Sequence, residues 1–230
     1  MTPFEVSVVA STAITDLING ALLLIAFFLL LRCLPRERPE RRYWLRFMLM
    51  AAVSSIFGWA THVSPWGFGM MFLLWLILSV TILETAHSFF MLGVVTLTGG
   101  TRPGRKQLRC LRLLELAALL FLIVAMLVRW HPIHPLVAFA ILLVIPGLCF
   151  FVCLAFRRHV GARILLCFIL PLVPCLVLQL MGFHEEIVFG TLNVDGLCHL
   201  FIMADIPIVY AAARKWNGAS AGAGAETAGE

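Results

Sequence analysis

Long apolar stretches separated by short polar segments occupy almost the whole chain. About 20 apolar residues in a helix, rising 1.5 Å each, cross the ~30 Å hydrocarbon core of a bilayer. Seven stretches reach this length and predict seven transmembrane helices. They cover residues 13–32, 44–63, 69–97, 111–130, 135–156, 163–183 and 193–213.

Composition supports a membrane protein rather than a soluble domain. The 230 residues are 62% hydrophobic and only 13% charged, whereas soluble domains rarely exceed about half apolar residues. We therefore expect an all-α, polytopic seven-helix bundle over residues 1–216. The Gly- and Ala-rich end, residues 217–230, predicts a disordered tail.

Basic residues indicate the orientation of this bundle. Of the 17 Lys and Arg residues, all except Arg129 fall on one side if seven spans alternate across the membrane. Cytoplasmic loops collect Lys and Arg, so this side is expected to be cytoplasmic. The prediction is an extracytoplasmic N-terminus, a cytoplasmic C-terminus and a multi-pass protein of the cell membrane. The basic residues lie in turns without interleaved aromatics, so no nucleic-acid partner is expected; the expected partners are membrane lipids.

Polar residues gather at the opposite, extracytoplasmic ends of the predicted spans. His62 ends the second span, while Asp195 and His199 open the seventh and share a helix face. Two imidazoles and a carboxylate form a common catalytic zinc set that leaves a position for water. The alternative is that each His lies at the membrane interface and that Asp195 is an ordinary acid at a helix N-terminus.

Three segments resemble those of a known superfamily: TDLINGALLLIAFFLLLR in the first span, SSIFGWATH at the end of the second and NVDGLCHLFIMADIPIVYAAAR in the seventh. Together they are similar to the CREST superfamily of seven-helix membrane proteins, which includes alkaline ceramidases and adiponectin/progestin receptors. The likeness is to its bacterial branch of unknown function, which implies that the membrane is a bacterial inner membrane.

The resemblance implies a zinc-dependent hydrolase of a lipid amide or ester. His62 matches the superfamily's ligand late in the second helix, and His199 matches the later of its two ligands in the seventh. Asp195 stands where the earlier of those two, a His, is expected. The superfamily's Ser before the first ligand is replaced here by Gly58, and its Asp at the start of the third helix has no match.

Other acids are available as a general base or as an orienting group for the predicted site. Asp16 in the first span and Glu185 after the sixth are the candidates, with Glu186 beside the latter. Glu185 and Glu186 also suit solvated loop positions.

Two further function classes remain open. A non-enzymatic receptor, small-molecule-binding or assembly protein is favoured by the missing Ser and Asp. A proton-coupled carrier is suggested by Glu84, His87 and Asp205, which lie deep inside the third and seventh spans. In this third class Asp205 shares a proton with Glu84 or pairs with His87; the alternative is a structural contact between helices.

Overall fold

The part of the chain that the structure describes is nearly all helical. A computed structural model describes residues 3–63, 67–97, 104–129, 160–166, 187–190 and 192–226. Its helices are α1 (Pro3–Cys33), α2 (Pro39–Val63), α3 (Phe68–Leu97), α4 (Arg105–Arg129), α5 (160–166) and α6 (Val194–Glu226).

Four of the described helices are long and apolar enough to cross a bilayer. The qualifying segments are Ser11–Cys33, Pro39–Val63, Gly69–Thr96 and Val194–Trp216, which coincide with the first, second, third and seventh predicted spans. The helical prediction is therefore confirmed for these segments, and four of the predicted spans are candidate membrane helices. Helix α4 covers most of the fourth predicted span. The fifth, and the sixth beyond residue 166, lie outside the described residues.

The helices extend beyond the apolar stretches that predicted them. Proline begins both α1 and α2, where its missing N–H is not needed and its fixed φ suits a first helical turn. Apolar patterning measures the part of a helix in contact with lipid, whereas backbone hydrogen bonding continues into the polar flanks. Helix α6 likewise runs to Glu226, into the segment predicted to be disordered, where alanine favours helix.

A short antiparallel hairpin precedes α6, and the sequence did not predict it. Strand β1 (Ile187–Phe189) pairs with β2 (Leu192–Asn193) in the register Ile187 with Asn193 and Phe189 with Leu192. Gly190 takes a φ of 59° in the connection, which glycine adopts without a steric penalty. The hairpin leads the chain directly into the first turn of α6.

Helix α1 packs between α2 and α6, and α2 also packs along α3. Trp44 is fully buried and its ring lies edge-on to Phe89 and Trp216, at centroid distances of 6.2 and 5.9 Å. Trp216 also donates a hydrogen bond from Nε1 to the Thr96 hydroxyl at 2.9 Å. Aromatic and indole contacts therefore join α2, α3 and α6 at one end of the bundle.

Replacement of Trp44 by alanine should strongly destabilise the bundle. Loss of a buried aromatic side chain leaves a cavity and should lower the free energy of unfolding by about 3–5 kcal/mol. Thermal unfolding in detergent, followed by circular dichroism, measures the effect. Phe28→Ala is the matched control because Phe28 is 55% exposed. Equal destabilisation by the two substitutions would contradict the assigned core.

Candidate functional site

A stripe of polar side chains runs along the buried face of α1. Its members are Thr12, Thr15, Asp16 and Asn19, which follow the i, i+3, i+4, i+7 spacing of one helix face. All four are buried in an otherwise apolar span. Polar groups in such a place require partners from neighbouring helices.

The carboxyl group of Asp16 contacts imidazoles from two other helices. Its Oδ1 lies 3.2 Å from Nε2 of His199 on α6, and its Oδ2 lies 3.9 Å from Nε2 of His62 on α2. Side-chain exposure is 8% for Asp16, 20% for His199 and 35% for His62. Of the three, His62 is therefore the most open to its surroundings.

Gly58 provides the space in which the Asp16 carboxyl lies. A Cβ atom at Gly58 would be 2.9 Å from Oδ2 of Asp16 and 3.2 Å from its Cγ. Such distances are too short for ordinary contact, so a larger residue would displace the carboxyl. The missing side chain at Gly58 thus admits an acid from α1.

His199 is held from two sides by α1. Its Nδ1 lies 3.1 Å from the Thr15 hydroxyl oxygen, and its backbone carbonyl accepts a hydrogen bond from Nδ2 of Asn19 at 3.2 Å. With Nε2 facing Asp16, both ring nitrogens of His199 have polar neighbours. The orientation of this imidazole is therefore fixed by Thr15 and Asp16 together.

Asn193 fixes the start of α6 against α1. Its Oδ1 accepts a hydrogen bond from the Gly196 backbone N–H at 2.8 Å, which is the N-cap arrangement. The same oxygen accepts a hydrogen bond from the Thr12 hydroxyl at 2.9 Å. One amide oxygen thus sets both the first turn of α6 and its height along α1, which places His199 level with Asp16.

The predicted zinc set is only partly brought together. His62 and His199 meet, as expected, but Asp16 rather than Asp195 is the carboxylate between them. Asp195 lies in the first turn of α6 and acts on Asp16 electrostatically. Within the described residues, no group of three or more His, Cys, Asp or Glu side chains is placed to hold a metal ion, and the zinc set of His62, Asp195 and His199 stays a prediction.

The other predicted catalytic acid, Glu185, lies outside the described residues, as does Glu186. Asp16 was predicted as a base or orienting group from its position in the first span. The structure adds contacts that the sequence analysis missed, namely those of Thr12, Thr15 and Gly58. The signal for the two threonines was their helical spacing with Asp16 and Asn19, whereas nothing in the sequence marks Gly58 as the neighbour of Asp16.

The deeper polar residues do not form the group expected of a carrier. Glu84 contacts Nη2 of Arg46 and accepts a hydrogen bond from Nη1 of Arg112 at 2.8 Å, so it pairs with arginines. Asp205 is fully buried, and its carboxyl oxygens have no hydrogen-bond partner in the described part of the chain. The suggested pairing of Glu84 with Asp205 is therefore wrong, because α2 and α4 supply opposite charges to Glu84. His87 is buried and makes other contacts.

Comparison with known proteins identifies a family for this chain. It belongs to DUF6962, a family of unknown function, whose model matches residues 11–217. The match includes Asp16, His62 and His199 and all four membrane-capable segments. No curated protein and no solved structure matches the chain. Function must therefore be argued from the site.

Gly58→Ala should disturb the site through Asp16. The added methyl group would approach Oδ2 at 2.9 Å, so the carboxyl must move away from the imidazoles. We expect a lower unfolding temperature for Gly58→Ala and a smaller effect when Asp16→Ala is already present. A double-mutant cycle measures this coupling.

Gly69→Ala is the matched control, because a Cβ atom there would meet no atom within 4 Å. Additive effects of Gly58→Ala and Asp16→Ala would show that Gly58 does not provide space for the carboxyl.

Proposed function

We propose that this chain is a membrane-embedded hydrolase that cleaves a lipid amide or ester. The observation that carries the proposal is the meeting of His62 and His199 at one buried carboxyl, that of Asp16, although the three residues come from different helices. Ionisable groups within membrane spans mark functional sites because their burial is costly. The resemblance to the CREST superfamily supports the same reaction class and stays a prediction.

The contacts suggest a division of roles among the three side chains. His199 has polar neighbours at both ring nitrogens, whereas His62 is 35% exposed and contacts Asp16 only at 3.9 Å. His62 is therefore the proposed general base. Asp16 orients His62 and stabilises its protonated form, as a carboxylate does for a catalytic imidazole. His199, itself held by Thr15, keeps Asp16 in place.

The proposed reaction needs only water and the lipid. His62 accepts a proton from water while the water oxygen forms a bond to the carbonyl carbon. The bond from that carbon to the leaving nitrogen or oxygen then breaks, and the proton passes from His62 to the leaving amine or alcohol. The products are a carboxylic acid and an amine or alcohol.

Zinc remains the cofactor implied by the resemblance. His62 and His199 are the residues that would supply its imidazole ligands, and a bound zinc would supply Lewis acidity. The roles assigned above rest on the protein side chains alone.

The proposed placement is seven spans with the site on the extracytoplasmic side. Asp16 lies in the N-terminal half of α1, His62 at the end of α2 and His199 near the start of α6, as alternating spans require. The concentration of Lys and Arg at the other ends of the spans supports a cytoplasmic C-terminus. The proposed membrane is a bacterial inner membrane, as the resemblance implies.

A non-enzymatic small-molecule-binding protein is the second candidate. The observation that favours it is Gly58, which occupies the position of the superfamily's Ser and is packed against Asp16. Such a protein would bind a lipid-like molecule near His62 without turnover.

His62→Gln and Asp16→Asn should each lower hydrolysis by about 100-fold or more, because general-base catalysis contributes about 10²–10⁴-fold. Purified protein in mixed micelles would be assayed with fluorogenic long-chain acyl amides and acyl esters. His87→Gln is the control, since His87 is a buried histidine of α3 to which the proposed reaction assigns no role.

Absence of turnover by the unaltered protein with every probe, together with saturable binding that His62→Gln weakens, would favour the binding protein instead.

Elemental analysis of the same samples tests zinc. A stoichiometric ion that is lost in His199→Ala would support the cofactor, and metal-free active protein would contradict it.

Reporter fusions test the orientation. A fluorescent protein that folds only in the cytoplasm should be active at the C-terminus, whereas a phosphatase that requires export should be active at the N-terminus. The physical reason is that short loops rich in Lys and Arg stay in the cytoplasm. Phosphatase activity at the C-terminus would contradict the proposed topology.

A further inference from the structure

A second charged group joins α2, α3 and α4. Arg46 contacts Oε2 of Glu84 through Nη2, and Arg112 donates from Nη1 to Oε1 at 2.8 Å. The side chain of Glu84 is 21% exposed, but those of Arg46 and Arg112 remain 40% and 46% exposed. One carboxylate thus holds two arginines side by side at the edge of the bundle.

Along α2, this group lies at the level of one boundary of the bilayer, and His62 lies at the level of the other. Arg46 precedes His62 by 16 residues, or about 24 Å along the helix axis. The hydrocarbon core is about 30 Å thick, so residues separated in this way lie near its two faces. Long arginine side chains can extend from there to the level of the lipid phosphates.

The charges nearby are mainly positive. Arg105, Lys106 and Arg109 are exposed in the first turns of α4, and Arg42 is exposed one turn before Arg46. A guanidinium group binds phosphate through paired, charge-assisted hydrogen bonds. Glu84 occupies one side of each arginine and aligns the pair.

We propose that Arg46, Glu84 and Arg112 form a phosphate-binding notch, and that the phosphate belongs to the headgroup of an anionic phospholipid. The two arginines bind the headgroup, and Glu84 joins them to α3. The site lies in the leaflet that faces the Lys- and Arg-rich ends of the helices, opposite the one nearer His62. It is independent of the proposed hydrolase activity.

Native mass spectrometry of the full chain from micelles tests this site. The micelles would contain equal amounts of phosphatidylglycerol and phosphatidylcholine. We expect preferential retention of phosphatidylglycerol, reduced about fivefold by Arg112→Gln, since each basic residue near a membrane surface contributes about that factor. Arg36→Gln is the matched control, because it removes the same charge from the exposed connection between α1 and α2.

Glu84→Gln separates lipid binding from structure. The notch predicts that this variant keeps or increases its retention of phosphatidylglycerol even if its unfolding temperature falls, because both positive charges remain. A purely structural ion pair predicts that Glu84→Gln and Arg112→Gln both lower the unfolding temperature and leave lipid preference unchanged, which would overturn the proposal.

Two other results would also overturn it. Equal loss of phosphatidylglycerol in Arg36→Gln and Arg112→Gln would show general attraction to a basic surface. Displacement of the lipid by millimolar inorganic phosphate, with the same dependence on Arg112, would assign the notch to a soluble anion instead.

Discussion

The contact of one buried carboxyl with two imidazoles determines how three of the helices fit together. Asp16 lies inside a segment apolar enough to span a membrane, where a polar group must find its partners within the protein. His62 and His199 supply them, and Thr15 and Asn19 add contacts to the same turn of α6. Helices α1, α2 and α6 must therefore meet at one height, whereas apolar packing alone would permit sliding.

Much of the helical architecture could be predicted because the bilayer imposes a simple rule on sequence. An apolar stretch of sufficient length has to be helical there, so the four membrane-capable segments coincide with predicted spans. Helix ends could not be predicted in the same way. Pro39 begins α2 within a charged segment that hydropathy assigns to a loop, and the hairpin at Gly190 depends on local φ rather than on apolarity.

The two imidazoles of the candidate site were predicted from the sequence, but the carboxyl group between them was not. His62 and His199 were expected to meet because both lie at the same end of neighbouring spans. Asp195 was the acid expected between them on account of its spacing from His199. The structure places Asp16 there, since helix rotation turns the polar stripe of α1 inward and Gly58 leaves room for it. Helix rotation and the gap between two helices are tertiary properties, which no single stretch of sequence specifies.

Helix α2 contributes to both ionisable groups of the bundle, and this sets a length that the membrane must match. His62 lies near one end with α1 and α6, while Arg46 lies about 24 Å away with α3 and α4. A helix is stiff along its axis, so the two groups keep this separation whatever the surrounding lipid. In a bilayer of ordinary thickness both groups lie close to a polar boundary. In a much thicker one, either the imidazoles or the guanidinium groups would be drawn into hydrocarbon, and the bundle would have to tilt less or thin the lipid around it. The charged contacts that fix the register of the helices therefore also fix the thickness of bilayer that suits them.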